Sequence, residues 1–306
     1  MFRKREHVNK KPSQDKEIRI VSEIEEDKID TTNHKRNYKH EEEKIDDKHV
    51  FLAHNKESTW EVVKSMLEEI CSKENCKNLD DAISYIESIA AVNSCMPRSQ
   101  DTMVGLRKYI QNFDKKTESS FLELVRYIAG LALRAPTLFK KTGIRILRKN
   151  SPGLLYYTSE EIACVIAQGF FCCLPEPHYS MDLPGTINFS RWFCGREDVY
   201  QQKIEKMVWY FQEYQREEGE ITEKPRRVSF ERNYLSKSKY DSMNDSYFAK
   251  NSKRLSKVKI KSQGSVEDEE NALVVDFANK YLGGGVMGRG YVQEEVLFVD
   301  YPELLM

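Results

Sequence analysis

Apolar residues recur at helical spacing through the middle of the chain and predict five amphipathic helices. The predicted starting points are Ser58, Asp80, Glu118, Thr158 and Asp198. Capping boxes mark two of these starts, Ser58–Glu61 and Thr158–Glu161, since hydroxyl and carboxylate each satisfy an unpaired backbone donor. Pro136 ends the third helix, and the fifth continues to residue 215. Residues 57–215 are therefore predicted to form an all-helical accessory domain.

The helical period is lost after residue 215. Residues 219–252 are rich in lysine, serine and asparagine, which is typical of a loop or linker. Residues 257–261 alternate lysine with apolar residues, as a half-exposed strand does. The short apolar run Ala272–Val275 predicts a strand buried on both faces. We therefore place a second domain, of α/β type, at residues 216–306.

Residues 1–56 are charged, poor in aromatic residues and without a sustained period, which predicts a disordered tail. The basic clusters Arg3–Arg5 and Lys10–Lys11 fit a nuclear-import signal or a solvated tail equally well. The formal net charge of the whole chain is only -1, so we expect no direct sequence-specific binding of nucleic acid.

The N-terminus lacks the apolar region of a secretory signal, and no apolar run is long enough to cross a membrane. The seven cysteines follow neither a disulfide framework nor a zinc-ligand spacing. We therefore expect a soluble intracellular protein with reduced thiols, no membrane association and no metal site.

Candidate chemistry follows the predicted buried strand. Asp276 and Asn279 are followed by the triple glycine Gly283–Gly285, and seven residues later by Gln293–Glu295. Glycines let backbone N–H groups approach a phosphate closely. Adjacent glutamates repel one another, so one of Glu294 and Glu295 is expected to hold its proton to higher pH. Such an acid can protonate a glycosidic oxygen, which predicts glycosidic chemistry on a substrate that carries phosphate.

The order Val-Asp-Phe-Ala-Asn, Gly-Gly-Gly, Gln-Glu-Glu within residues 274–298 resembles the signature of poly(ADP-ribose) glycohydrolases. More distant similarities occur at 187–193, 170–172 and 264–267. The resemblance implies an α/β macrodomain, an incomplete mixed sheet with flanking helices, behind the helical domain. It implies hydrolysis of ribose–ribose O-glycosidic bonds in poly(ADP-ribose) to release ADP-ribose, without cofactor or metal. It also implies poly(ADP-ribosyl)ated proteins as partners, in the nucleus and/or cytoplasm, and a role in the DNA damage response.

The resemblance also assigns roles to individual positions. Glu295 would be the general acid and Glu294 would hold the ribose hydroxyls, while Asp276 would orient the loop. The remaining positions would form the substrate site. Asn279 would orient the distal ribose, Gly283, Gly284 and Gly285 would accommodate the diphosphate, and Gln293 would support the glutamate pair. Val266 and Glu267 would face the adenine.

Other interpretations of the same residues stay open. Glu294 and Glu295 also suit the solvated first turn of a helix, and Asp276 suits a residue that only braces the loop. The basic region 224–261 fits a solvated loop better than a polyanion site. Because the sequence stops at Met306, part of the sheet is expected to be missing. The alternative function is accordingly an inactive, truncated form that acts as an ADP-ribose reader or an interaction protein.

Overall fold

A computed structural model describes most of the chain from residue 52 onward and the backbone of two strand segments before it. The described ranges are 19–20, 49–50, 52–55, 57–93, 102–139, 143–147, 151–174, 187–220, 226–254, 257–264 and 272–306. Most of the predicted tail, and the segment that contains Val266 and Glu267, lie outside them.

Helices dominate the described residues. They are α1 Glu57–Cys71, α2 Leu79–Val92, α3 Val104–Ile110, α4 Lys115–Leu133, α5 Ala135–Leu138, α6 Ser159–Phe170, α7 Ser190–Cys194, α8 Asp198–Glu220, α9 Lys237–Ser242, α10 Asp245–Ala249 and α11 Gln293–Asp300. Short 3-10 turns form at Ala53–Asn55 and Pro302–Leu305. All five helices predicted from the apolar pattern are present, which confirms the helical character of the region.

Local side-chain chemistry explains where several helices begin. Thr158 and Glu161 form the predicted capping box at the start of α6. Asp114 caps α4 by accepting the Thr117 N–H at 2.7 Å, so this helix begins before the predicted position. Helix α1 begins at Glu57, one residue before the predicted start at Ser58.

Two small sheets accompany the helices. The mixed sheet has the order β1 (Arg19–Ile20), β5 (Arg227–Arg232), β4 (Gly153–Thr158), with β1 parallel and β4 antiparallel to β5. The second sheet pairs β2 (His49–Val50) with β3 (Ile144–Arg145). The strands β3 and β4 lie inside the region predicted to be all-helical, so this region contains two short strands in addition to its helices.

The described residues of the C-terminal region correct three predictions. Residues 257–261 and 272–275 form no strand, and Val258 and Ile260 are 84% and 89% exposed. A strand needs a hydrogen-bonded neighbour, and neither segment has one within the described part of the chain. Conversely, the predicted loop 219–252 contains the strand β5 and the helices α9 and α10.

The core lies among α1, α2, α4, α6 and α8. Helix α6 is buried on all its faces, and its Phe170 contacts Phe171, Phe193 and Phe211 edge to face. Next to this cluster, Trp192 stacks on Phe189 at 4.4 Å between ring centroids. Trp192 of α7 and one face of α8 lie against the C-terminal glycines. None of the helices described is long and apolar enough to cross a membrane.

Candidate functional site

The two adjacent glutamates lie in the first turn of α11 and are buried. Glu294 is 4% and Glu295 6% exposed, although acids at a helix N-terminus are usually solvated. The pair therefore begins a helix, but it is buried rather than solvated and faces the glycines. We call residues 283–290 the glycine loop.

Glu294 ties two points of the preceding segment to α11. Its carboxylate accepts the N–H of Gly283 at 2.8 Å and the N–H of Asn279 at 2.9 Å. The Asn279 side chain in turn accepts the N–H of Tyr281 at 3.2 Å and shapes the turn into the glycine loop. Hydrogen bonds of N–H groups to a carboxylate are stronger than those to a neutral acceptor, so Glu294 holds this turn firmly.

Glu295 joins the glycine loop to the residue that precedes α11. One carboxylate oxygen accepts the N–H of Gly285 at 2.8 Å, and the other accepts the N–H of Val292 at 3.0 Å. Burial raises the pKa of Glu295, but these hydrogen bonds and the positive charge of Lys203 outweigh it, and the net pKa is lowered. The expectation that a glutamate of the pair holds its proton to higher pH is therefore not met at Glu295.

Asp276 is the acid whose pKa is raised at this site. Burial is the main cause, and the charges of Glu294 and Glu295 add to it. Its Oδ1 atom is buried and has no hydrogen-bond partner among the described residues. The site therefore collects three carboxyl groups, of which Glu294 and Glu295 are held by backbone N–H groups.

Gln293 holds the segment before the glycines. Its side-chain oxygen accepts the N–H of Phe277 at 2.8 Å, and its amide donates to the carbonyl of Val275 at 3.3 Å. Asp276 lies between these two anchored residues, so Gln293 fixes the backbone on either side of it.

The glycines are required here by close approach and by backbone conformation. Gly283 and Gly284 have φ angles of 86° and 51°, a region that L-residues rarely adopt. A Cβ atom on Gly284 would lie 2.5 Å from a carboxylate oxygen of Glu295. The N–H groups of Gly283, Gly284 and Gly285 donate to Glu294, the Tyr281 carbonyl and Glu295, respectively. These three N–H groups are therefore occupied within the protein, and the diphosphate role assigned to them stays a prediction.

Two residues that the sequence did not single out hold the glycine loop from the helical side. The Trp192 indole donates to the carbonyl of Val286 at 3.0 Å, and Lys203 of α8 donates to three carbonyls of the loop. A signal for Lys203 was present, because it interrupts the apolar face of α8 between Tyr200 and Ile204.

The structure therefore brings together Asp276, Asn279, Gly283–Gly285 and Gln293–Glu295 around one turn and one helix start. A helical domain is thus followed by a glycine loop that closes over two buried glutamates, in the order that the resemblance to the glycohydrolase signature predicts. Comparison with known families agrees. Residues 113–232 match the helical domain of poly(ADP-ribose) glycohydrolase, and residues 245–306 match its domain of macro domain fold. The chain belongs to the poly(ADP-ribose) glycohydrolase family.

Individual relatives carry the same name. The chain is 33% identical over 211 residues to poly(ADP-ribose) glycohydrolase 1 of Arabidopsis thaliana, covering 63% of this chain and 36% of that protein. It is 30% identical over 238 residues to the probable poly(ADP-ribose) glycohydrolase 2 of the same plant, covering 66% and 43%. With poly(ADP-ribose) glycohydrolase 1 of Caenorhabditis elegans it shares 27% identity over 185 residues, covering 60% and 21%. The chain thus spans less than half the length of these relatives.

Proposed function

We propose that this chain binds an ADP-ribose unit of poly(ADP-ribose) at the glycine loop and hydrolyses the ribose–ribose bond. The observation that carries the proposal is the pair Glu294 and Glu295, buried and fixed by four backbone N–H groups at the end of the family's signature segment. Fixed carboxyl groups beside a loop of glycines are what acid-assisted cleavage of a phosphate-bearing glycoside requires. Poly(ADP-ribose) and poly(ADP-ribosyl)ated proteins are then the partners of the chain.

Glu295 is the proposed general acid. It gives its proton to the glycosidic oxygen as the bond from that oxygen to the anomeric carbon breaks, through an oxocarbenium-like transition state. Water then adds to the anomeric carbon and returns a proton to Glu295, so that one ADP-ribose is released for each water consumed. Glu294 is proposed to hold the ribose hydroxyls, and Asp276 is proposed to support the loop.

The proposed acid must first acquire a proton, because its pKa is lowered in the free chain. The diphosphate of a bound substrate brings negative charge to the glycine loop, and a like charge nearby raises the pKa of a carboxyl group. We therefore propose that substrate binding itself protonates Glu295. Asp276, whose pKa is raised by burial and by the two glutamates, lies beside the proposed acid.

The lowered pKa of Glu295 also favours a second candidate function. A site whose acid stays ionised binds ADP-ribose without cleaving it, which describes a reader of poly(ADP-ribose). Turnover separates a hydrolase from a reader, because both bind the ligand and only the hydrolase releases product.

The test measures release of ADP-ribose from poly(ADP-ribose) by the 306-residue chain and by Glu295→Gln, together with the Kd of each for ADP-ribose. The matched control is Glu213→Gln, a partly exposed acid of α8 that pairs with Arg216. A hydrolase shows release in the parent and in the control, and a loss of at least about a hundredfold in Glu295→Gln. Binding without release identifies the reader, and neither binding nor release by a folded chain overturns both candidates.

A further inference from the structure

A single lysine of the helical domain holds the glycine loop from below. Lys203 is fully buried, and its ammonium nitrogen lies 2.8 Å from the carbonyl oxygen of Val286, 2.8 Å from that of Gly288 and 2.6 Å from that of Gly290. An ammonium group has three hydrogens, so these three acceptors use its full donor capacity.

The surroundings of Lys203 favour the charged form without an ion pair. Among the described residues no carboxylate forms a salt bridge with it, whereas the rings of Trp192 and Tyr291 face its ammonium at 5.6 Å and 5.8 Å from their centroids. Burial lowers the pKa of Lys203 to about 8, while the charge of Glu295 opposes that shift. The lysine is therefore mostly protonated at neutral pH.

The three carbonyls that Lys203 binds belong to every second residue of the loop, and this fixes the direction of the N–H groups between them. A trans peptide unit is planar, so a carbonyl that points toward Lys203 makes the next N–H point away from it. The N–H groups fixed in this way belong to Met287, Arg289 and Tyr291. Within the described part of the chain these three have no hydrogen-bond acceptor, whereas the N–H groups of the intervening residues donate inside the loop.

We propose that Lys203 is a positioning residue that turns three carbonyls of the glycine loop inward and thereby presents the N–H groups of Met287, Arg289 and Tyr291 to the diphosphate of the ligand. The inference deepens the proposed function and rests on it. Three carbonyls that converge on Lys203 leave these N–H groups on the opposite side of the loop, without an acceptor among the described residues, and the positive charge beneath the loop favours an anionic ligand. This arrangement also explains why the glycine loop can bind phosphate although the N–H groups of Gly283, Gly284 and Gly285 are already occupied within the protein.

The first measurement needs no ligand. Amide hydrogen exchange over residues 283–292 is compared in the parent chain, in Lys203→Met and in Lys206→Met. Lys206 lies one turn further along α8 and is an exposed partner of Asp300 at 2.7 Å, so its loss removes the same charge without touching the loop. Lys203→Met leaves the carbonyls of Gly288 and Gly290 without this donor and the carbonyl of Val286 with only the Trp192 indole. We expect exchange in the loop to accelerate at least about tenfold, with no change in Lys206→Met. Unchanged exchange in a folded Lys203→Met overturns the positioning role.

The second measurement asks whether the loop recognises the diphosphate. The Kd for ADP-ribose and for adenosine, which lacks phosphate, is measured for the same three proteins. Lys203→Met is expected to weaken ADP-ribose binding at least about tenfold and adenosine binding much less. In amide NMR spectra of the parent, the signals of Met287, Arg289 and Tyr291 are expected to shift with ADP-ribose. Equal losses for both ligands, or unmoved signals, contradict the assignment of these three donors.

The pH profile adds a readout that general destabilisation does not move. ADP-ribose binding is expected to weaken between pH 7 and pH 9.5 in the parent and in Lys206→Met, because Lys203 loses a donor hydrogen near pH 8. This weakening of binding with rising pH is expected to be absent in Lys203→Met. The titratable groups that face Lys203 are Glu295, which is ionised throughout this range in the free chain, and Tyr291, whose pKa burial raises above 10.0. If ADP-ribose binding by Lys203→Met still weakens between pH 7 and pH 9.5, another group titrates, and this part of the inference is overturned.

The outcomes separate this inference from the proposed function. If the parent binds ADP-ribose and Lys203→Met binds it equally well, the role of Lys203 fails and the proposed function stands. If the folded parent does not bind ADP-ribose, the proposed function fails, and hydrogen exchange alone decides whether Lys203 orders the loop. If Lys203→Met does not fold, Trp192→Phe removes the indole donor to Val286 together with part of the buried ring, and repeats the comparison at smaller amplitude.

Discussion

A carboxylate oxygen of Glu295 occupies the space that a side chain at Gly290 would need. A Cβ atom built on Gly290 lies 2.7 Å from this oxygen and 2.8 Å from the Cα atom of Gly285. The glycine loop is therefore closed by contact with the acid itself. This relationship ties the composition of the loop to the position of the proposed general acid.

Gly290→Ala is expected to destabilise the chain and to displace Glu295. The new methyl group meets a backbone atom that cannot move aside, so we expect a loss of about 1–3 kcal/mol in the free energy of unfolding. Urea denaturation measures this, and ADP-ribose binding reports the displacement. Gly219→Ala is the control, since a Cβ there meets nothing within 4 Å. Equal stability of the two variants would show that the loop relaxes freely.

Glu295→Gln is expected to be less stable than the parent at pH 7 and to approach it in acid. A glutamine places an NH2 group against one of the two N–H donors, which costs about 1–3 kcal/mol. The pKa of Glu295 is lower in the folded chain than its ordinary value of 4.5, so its stabilising effect is complete above pH 4.5 and is lost as the pH falls through the folded value. Urea titrations at pH 7, 5 and 3.5 measure the gap. A gap that does not change with pH would contradict the proposed ionisation of Glu295.

Asp276→Asn is expected to stabilise the folded chain at pH 7. Burial and the charges of Glu294 and Glu295 raise the pKa of Asp276, so its ionised form opposes folding, and an amide removes this cost, about 0.5–1 kcal/mol. As the pH falls through the raised pKa, Asp276 gains a proton in the folded state first, so the parent recovers and the difference shrinks. Thermal unfolding at several pH values measures this, with Asp241→Asn on the exposed helix α9 as control. A destabilised Asp276→Asn would mean that the carboxylate has a favourable contact.

The sequence predicted the helices of the core well because helical periodicity is a local property. The stripe Ile162, Val165, Ile166 follows from residue spacing alone, and the Thr158 cap follows from two side chains in one turn. Strands depend on partners that are distant along the chain. The alternation at 257–261 therefore predicted a strand that does not form, while β5 went unpredicted within the supposed loop.

At the site, the sequence showed which residues belong together but not how they are charged. The order of Asn279, the glycines and the glutamates was sufficient to predict their proximity. It could not show that two backbone N–H groups converge on Glu295 and lower its pKa, since hydrogen bonding depends on the three-dimensional path of the loop. It also missed Lys203, because the carbonyls that bind this lysine come from a different domain and carry no side-chain signal.

The last prediction concerns the contact that places α7, and with it Trp192, beside the glycine loop. A Cβ atom on Gly105 of α3 would meet the backbone carbonyl of Gly195 and would lie 2.5 Å from that of Trp192. Gly105→Ala is therefore expected to separate α3 from α7 and to cost about 1–3 kcal/mol in the free energy of unfolding. Gly130→Ala, in the interior of α4, meets nothing within 4 Å, so it is expected to stabilise the chain by about 0.5–1 kcal/mol through helix propensity. Urea denaturation of both variants tests these two opposite changes in the free energy of unfolding.

The same contact also affects the glycine loop. Because Trp192 donates to Val286, Gly105→Ala should accelerate hydrogen exchange in the glycine loop, whereas Gly130→Ala should leave it unchanged. Equal and small effects of the two substitutions would show that α3 and α7 are not held in close contact, and that the loop does not depend on their packing.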